Sequence, residues 1–100
     1  MAYPVRYSSR SYNEYVSILN YVSEIFGNSK AAEVDMYFEK VIDLIAVNPK
    51  MFPYSEYTKD VRRCVISPQT TLYYRFAGEY IELVSFRGNK LNPKSLGLQP

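Results

Sequence analysis

Between residues 61 and 86 the chain reads Val61-Arg62-Arg63-Cys64-Val65-Ile66-Ser67, then Thr70-Thr71-Leu72-Tyr73-Tyr74-Arg75-Phe76, then Tyr80-Ile81-Glu82-Leu83-Val84-Ser85-Phe86, with Pro68-Gln69 and Ala77-Gly78-Glu79 between the runs. Three runs rich in β-branched and aromatic residues, separated by turn formers, predict three consecutive strands joined as an antiparallel meander. Alternation assigns the faces only in part. In the middle run Leu72, Tyr74 and Phe76 alternate with Thr71, Tyr73 and Arg75, which puts the first set in a core and the second on an open face. In the last run Ile81 and Leu83 oppose Glu82, Val84 and Phe86, and either set suits a core. Adjacent Arg62 and Arg63 must point to opposite faces.

Upstream of the meander the period changes. Tyr12, Tyr15, Val16, Leu19, Val22, Ile25 and Phe26 recur at steps of three and four, which predicts a helix over roughly residues 9–26. Ser8-Ser9 offers its N-cap and Gly27 its C-terminal stop. Asn28 or Ser29 caps a second helix whose inner stripe is Val34, Phe38, Val41 and Ile45, flanked by Tyr37, Ile42 and Leu44. Asn48-Pro49 ends it, because proline disfavours a helical residue before it. So short a connection between amphipathic helices requires an antiparallel hairpin. Tyr3 to Tyr7 reads as an opening strand. Residues 50–60 have no period and form a loop whose Phe52 and Tyr54 tuck against the core. From about Gly88 the chain is an irregular tail.

The order is therefore β-α-α-β-β-β, an α+β fold in which the helical hairpin covers one face of a small twisted antiparallel sheet. One hundred residues suffice for a single domain, residues 1–100. Apolar types make up 47% and charged types 22%, a globular composition. No apolar stretch approaches the ~20 residues that span a bilayer, and no signal-peptide pattern opens the chain. A lone cysteine, Cys64, fits a reducing compartment, so a cytoplasmic location is expected.

The chemistry is bounded by what the chain lacks. It has no histidine, which removes His-based triads and His-ligated zinc. Its four glycines are scattered turn residues rather than a phosphate loop. Asp35, Glu39 and Asp43 recur every fourth residue, as a solvated helix face does. No metal or cofactor is expected. What remains is basic and aromatic. Residues 1–49 carry four basic against six acidic side chains, and residues 50–100 carry eight against four. A partner with negative charge would be steered to the second half. Arg75, Arg87 and Lys90, with Arg62 or Arg63, would meet near Tyr73 beside the uncovered face, where guanidinium groups bind phosphates and tyrosines stack on bases. Eleven tyrosines exceed what one small core can bury with satisfied hydroxyls. Some of Tyr12, Tyr15, Tyr37 and Tyr73 are therefore expected on a surface suited to protein contact.

The ordered combination resembles the RelE/ParE superfamily of toxins. Asn48-Pro49 followed by Val61-Arg62 is similar to the family's "NP…vR" pattern. Leu72-Tyr73-Tyr74-Arg75-Phe76 resembles its central strand, and Tyr80-Ile81-Glu82-Leu83-Val84 the strand after it. Gly88-Asn89-Lys90-Leu91-Asn92-Pro93-Lys94 is similar to the close of one ParE-like subgroup. The resemblance runs from about Tyr3 to Leu96 and implies a toxin held inactive by a cognate antitoxin protein, with DNA reached only through that antitoxin. Members poison DNA gyrase or cleave mRNA on the ribosome. RNA-cleaving members place an arginine where this chain has Thr71, and a tyrosine downstream where none follows Tyr80. Lys90 stands where the subgroup usually has arginine, which is no neutral exchange for bidentate phosphate contacts. The resemblance is therefore more ParE-like than RelE-like. An mRNA endonuclease using Arg75, Arg87 and Lys90, and a non-toxic binding module of the same fold, are the alternatives.

Overall fold

The structure is a computed structural model that describes residues 2–88. The element order is β1 (Val5–Tyr7), α1 (Ser9–Phe26), α2 (Asn28–Val47), β2 (Arg62–Ser67), β3 (Thr70–Phe76) and β4 (Ile81–Gly88). The two helices pack against a four-stranded sheet of order β1-β4-β3-β2. The meander β2-β3-β4 is antiparallel, as its turn residues require, but β1 lies parallel to β4, so the sheet is mixed. Two helices and the strands β2 and β3 separate β1 from β4 in the chain, and that long crossover is what lets the two run the same way.

Local chemistry sets the helix ends. Ser8 caps α1 by accepting the Ser11 amide at 3.0 Å. Gly27 alone joins the helices, with φ 96° and ψ 164°, a region essentially reserved for glycine. An added Cβ would meet nothing within 4 Å there, so the requirement lies in the backbone rather than in space. After α2, the Pro49 carbonyl accepts the buried Tyr74 hydroxyl at 2.8 Å, which fixes the helix exit to the centre of β3.

The faces of β4 are decided by a bulge. Tyr73 opposes Ser85 while Tyr74 opposes Leu83, so Val84 is the extra residue. The bulge flips the phase, and Ile81, Leu83 and Phe86 all reach the core. There they meet Leu72 and Tyr74 of β3, Cys64 and Ile66 of β2, and Tyr15, Phe38, Ile42 and Ile45 of the helices. Phe38 stacks on Phe86 with centroids 6.1 Å apart, and Tyr15 lies 5.2 Å from Phe86. Burial pushes the Cys64 thiol up to about 11, which makes it an inert apolar strand residue.

The inner stripes differ from their sequence reading in one respect. Of the periodic α1 residues only Tyr15 is buried; Tyr12, Ile25 and Phe26 are exposed. The hairpin overhangs the sheet at its Gly27 end, and its inner side there, with Ile18, Val22, Phe26 and Val34, lines an open groove of about 1290 Å³. In the 50–60 loop Phe52 does pack on the core. Tyr54 does not: it is exposed and lies under the Arg62 guanidinium, 4.0 Å from ring centroid to Cζ.

Candidate functional site

The sheet face away from the helices carries Arg63, Tyr73, Arg75 and Glu82 by strand alternation. Arg75 and Glu82 are cross-strand partners, and the arginine donates from Nη1 to the carboxylate at 2.8 Å. Its charge is spent locally. Arg6 of β1 sits over the Tyr80 ring at 4.2 Å. These groups occupy the end of the face near the β3–β4 turn.

Toward the other end the face is not bare. Residues 53–61 fold back beside β2, through Arg63 N–H to the Pro53 carbonyl at 2.8 Å and Ser55 N–H to the Val61 carbonyl at 2.7 Å. Ser55, Tyr57 and Thr58 then wall a cavity of about 240 Å³ with Tyr73, Val84, Ser85, Arg87 and Arg10. Two guanidinium groups and five hydroxyl side chains line it, of which Arg10 and Ser85 already donate to the Glu14 carboxylate behind the wall. A lining so rich in donors is suited to an anion such as a phosphoryl group. The Arg87 side chain makes no hydrogen bond or ion pair with another described residue.

One side of this cavity is held by α1. β1 pairs with β4 only as far as Leu83, and beyond that point side chains continue the pairing. The Ser8 hydroxyl donates to the Val84 carbonyl at 3.0 Å. Glu14 Oε1 accepts the Phe86 amide at 2.8 Å and the Ser85 hydroxyl at 2.9 Å. Glu14 Oε2 accepts from Arg10 Nε at 3.1 Å. Burial works to raise the Glu14 pKa, but the hydrogen bonds from Phe86, Arg10 and Ser85 outweigh it and hold the carboxyl below its ordinary value.

The structure thus brings together Tyr73 and Arg87 of the residues singled out from sequence, with Arg63 beside Tyr73 in register. Arg62 is elsewhere, donating from Nη1 to the Phe52 carbonyl at 2.7 Å and bracing the loop. Arg75 is tied to Glu82. Lys90 lies outside the described residues. Arg10 escaped the sequence reading because it looks like an ordinary exposed helix residue; only the (i, i+4) spacing to Glu14 hinted at its placement. Of the tyrosines expected at the surface, Tyr12 and Tyr37 are exposed, whereas Tyr15 is buried. Its hydroxyl donates to Asp35 and, at 3.3 Å, to Glu39; burial first and then these carboxylates raise its pKa. Among the described residues no group of His, Cys, Asp and Glu could hold a metal, and no helix is long and apolar enough to cross a membrane.

Neither a protein-family model nor a curated protein sequence matches the chain. Solved structures do. The chromosomal ParDE toxin–antitoxin system from P. aeruginosa superposes with a TM-score of 0.74 at 13% identity, over 87% of this chain and 96% of that one. The E. coli DinJ-YafQ toxin–antitoxin complex gives 0.58 at 10% identity, over 88% and 93%. The conserved hypothetical protein HP0894 from Helicobacter pylori gives 0.57 at 18% identity, over 87% and 94%. With two helices on a four-stranded mixed sheet in the order β-α-α-β-β-β, the chain has the RelE/ParE-like fold.

Proposed function

We propose that this protein is the toxin of a bacterial toxin–antitoxin pair, acting in the cytoplasm by binding a macromolecular target and neutralised by a cognate antitoxin. The observation that carries the reading is the donor-lined cavity of Arg10, Tyr73 and Arg87 on a RelE/ParE-like fold. Fold alone does not assign function, so the weight rests on the site. Arg87 is the leading contact residue, with Tyr73 and Arg63 beside it. The target is read as DNA gyrase by the ParE-like resemblance.

A second reading, cleavage of ribosome-bound mRNA, draws on the same cavity. A scissile phosphate between Arg10 and Arg87, with the Tyr57 or Tyr73 hydroxyl near it, would suit charge stabilisation without histidine. The pairing of Arg75 with Glu82 removes one of the residues that reading relied on.

Purified protein separates the two. Inhibition of gyrase supercoiling, with transcripts intact in induced cells, supports the first reading. Codon-register cuts in translated mRNA replace it with the second. Tight binding to an antitoxin with neither effect leaves a non-toxic binding module, the third reading.

A further inference from the structure

Along its outer side α2 carries Met36, Lys40, Asp43 and Val47, all exposed, at steps of four, three and four residues. That spacing is the one that keeps side chains on the seam of a helix pair, so the four form a single ridge. The opposite side of the helix, with Phe38, Ile42 and Ile45, belongs to the core. Met36 and Val47, at the ends of the ridge, are 72% and 60% exposed, and Tyr37 and Leu44 beside it are exposed as well. Between them Lys40 and Asp43 make no ion pair with any described residue. Large apolar side chains gathered in water around two opposite and uncommitted charges mark a contact surface.

We infer that α2 packs along this ridge against α2 of a second copy of the chain, antiparallel, about a two-fold axis level with the midpoint of Lys40 and Asp43. The charges select that occupant. In this register Lys40 of each copy faces Asp43 of the other, and Met36 faces Val47. Every contact then occurs twice, and the ridge is complementary to itself. Tyr37 and Leu44 flank the seam on one side. A parallel pairing would set Lys40 against Lys40 and Asp43 against Asp43, which like-charge repulsion disfavours. Three turns of one helix offer less than the ~800 Å² per partner of a standard interface, so the dimer is expected to dissociate in the micromolar range. The inference stands on the ridge and does not depend on the proposed activity.

Sedimentation velocity on the whole chain, from low micromolar to near-millimolar concentration, reads the association, with circular dichroism confirming that each variant is folded. The wild type should pass reversibly from monomer to dimer over that range. Lys40→Glu and Asp43→Lys, each alone, set like charges across the axis twice and should weaken the dimer roughly tenfold or more. An equimolar mixture of the two variants brings opposite charges back together in a heterodimer, and both substitutions in one chain do so in a homodimer. Each should recover the wild-type association. A wild type that stays monomeric throughout overturns the inference, even if another kind of polypeptide binds the ridge. So does a dimer that both single variants form as readily as the wild type, or one that the exchanged charges fail to recover.

Discussion

Glu14 and Phe86 are seventy-two positions apart, yet the Glu14 carboxylate accepts the Phe86 backbone amide at 2.8 Å and so stands in for the strand that β1 is too short to supply. The same carboxylate fixes Ser85 at the bulge and Arg10 at the cavity edge. Fold and site are joined at this one side chain.

Glu14→Ala leaves the Phe86 amide without its acceptor. A buried donor so orphaned costs about 1–3 kcal/mol, measurable as a lowered urea midpoint with unchanged slope. If the midpoint does not move, water replaces the carboxylate and the coupling described above is unimportant.

The pH dependence follows from the direction of the Glu14 shift. Its folded pKa is held low, so its contribution is complete above the ordinary carboxylate range and is lost as pH falls through the lowered folded value. Urea unfolding from pH 7 down to pH 3 should show this loss. Glu14→Gln should flatten that acid limb, and an unaltered limb in the variant would assign it to other carboxylates.

Tyr74 is fully buried, and burial, its leading cause, pushes its hydroxyl up to about 12. Tyr74→Phe keeps the ring and strands the Pro49 carbonyl. The expected loss is about 1–3 kcal/mol by thermal or urea unfolding. A neutral result would mean that the carbonyl finds another donor.

Gly27→Ala forces a Cβ onto a backbone at φ 96° and ψ 164°. The cost should be on the order of 1–3 kcal/mol, although nothing crowds the site. A hairpin that bends to absorb the change would show instead as altered amide shifts at Ser23 and Ala31, whose hydrogen bonds run through Gly27.

Much of this architecture is legible in the residues. The helices follow from a 3.6-residue period, their ends from Ser8, Gly27 and Asn48-Pro49, and the meander from its turns. The parallel seat of β1 is not legible, because three residues of alternating type carry no record of their partner. Nor is the bulge: Val84 and Ser85 look like any strand pair, and the phase flip that buries Phe86 emerges only when β3 is laid alongside. The site was half legible for the same reason. Tyr73 and Arg87 follow from strand alternation and position, whereas Arg10 arrives through Glu14 and the bulge. Arg62 and Arg75 are basic residues with local structural duties that composition cannot distinguish from binding ones.

The proposed activity turns on Arg87, an exposed guanidinium whose removal should leave stability within about 0.5 kcal/mol. The direct measurement is colony count after inducing the wild-type chain and Arg87→Glu at matched protein levels, with the folded state of each checked by circular dichroism. The account predicts that the wild type lowers viable counts by orders of magnitude, that co-expressed antitoxin restores them, and that Arg87→Glu is harmless. A wild type that leaves growth untouched, or an Arg87→Glu variant as lethal as the wild type, would contradict it.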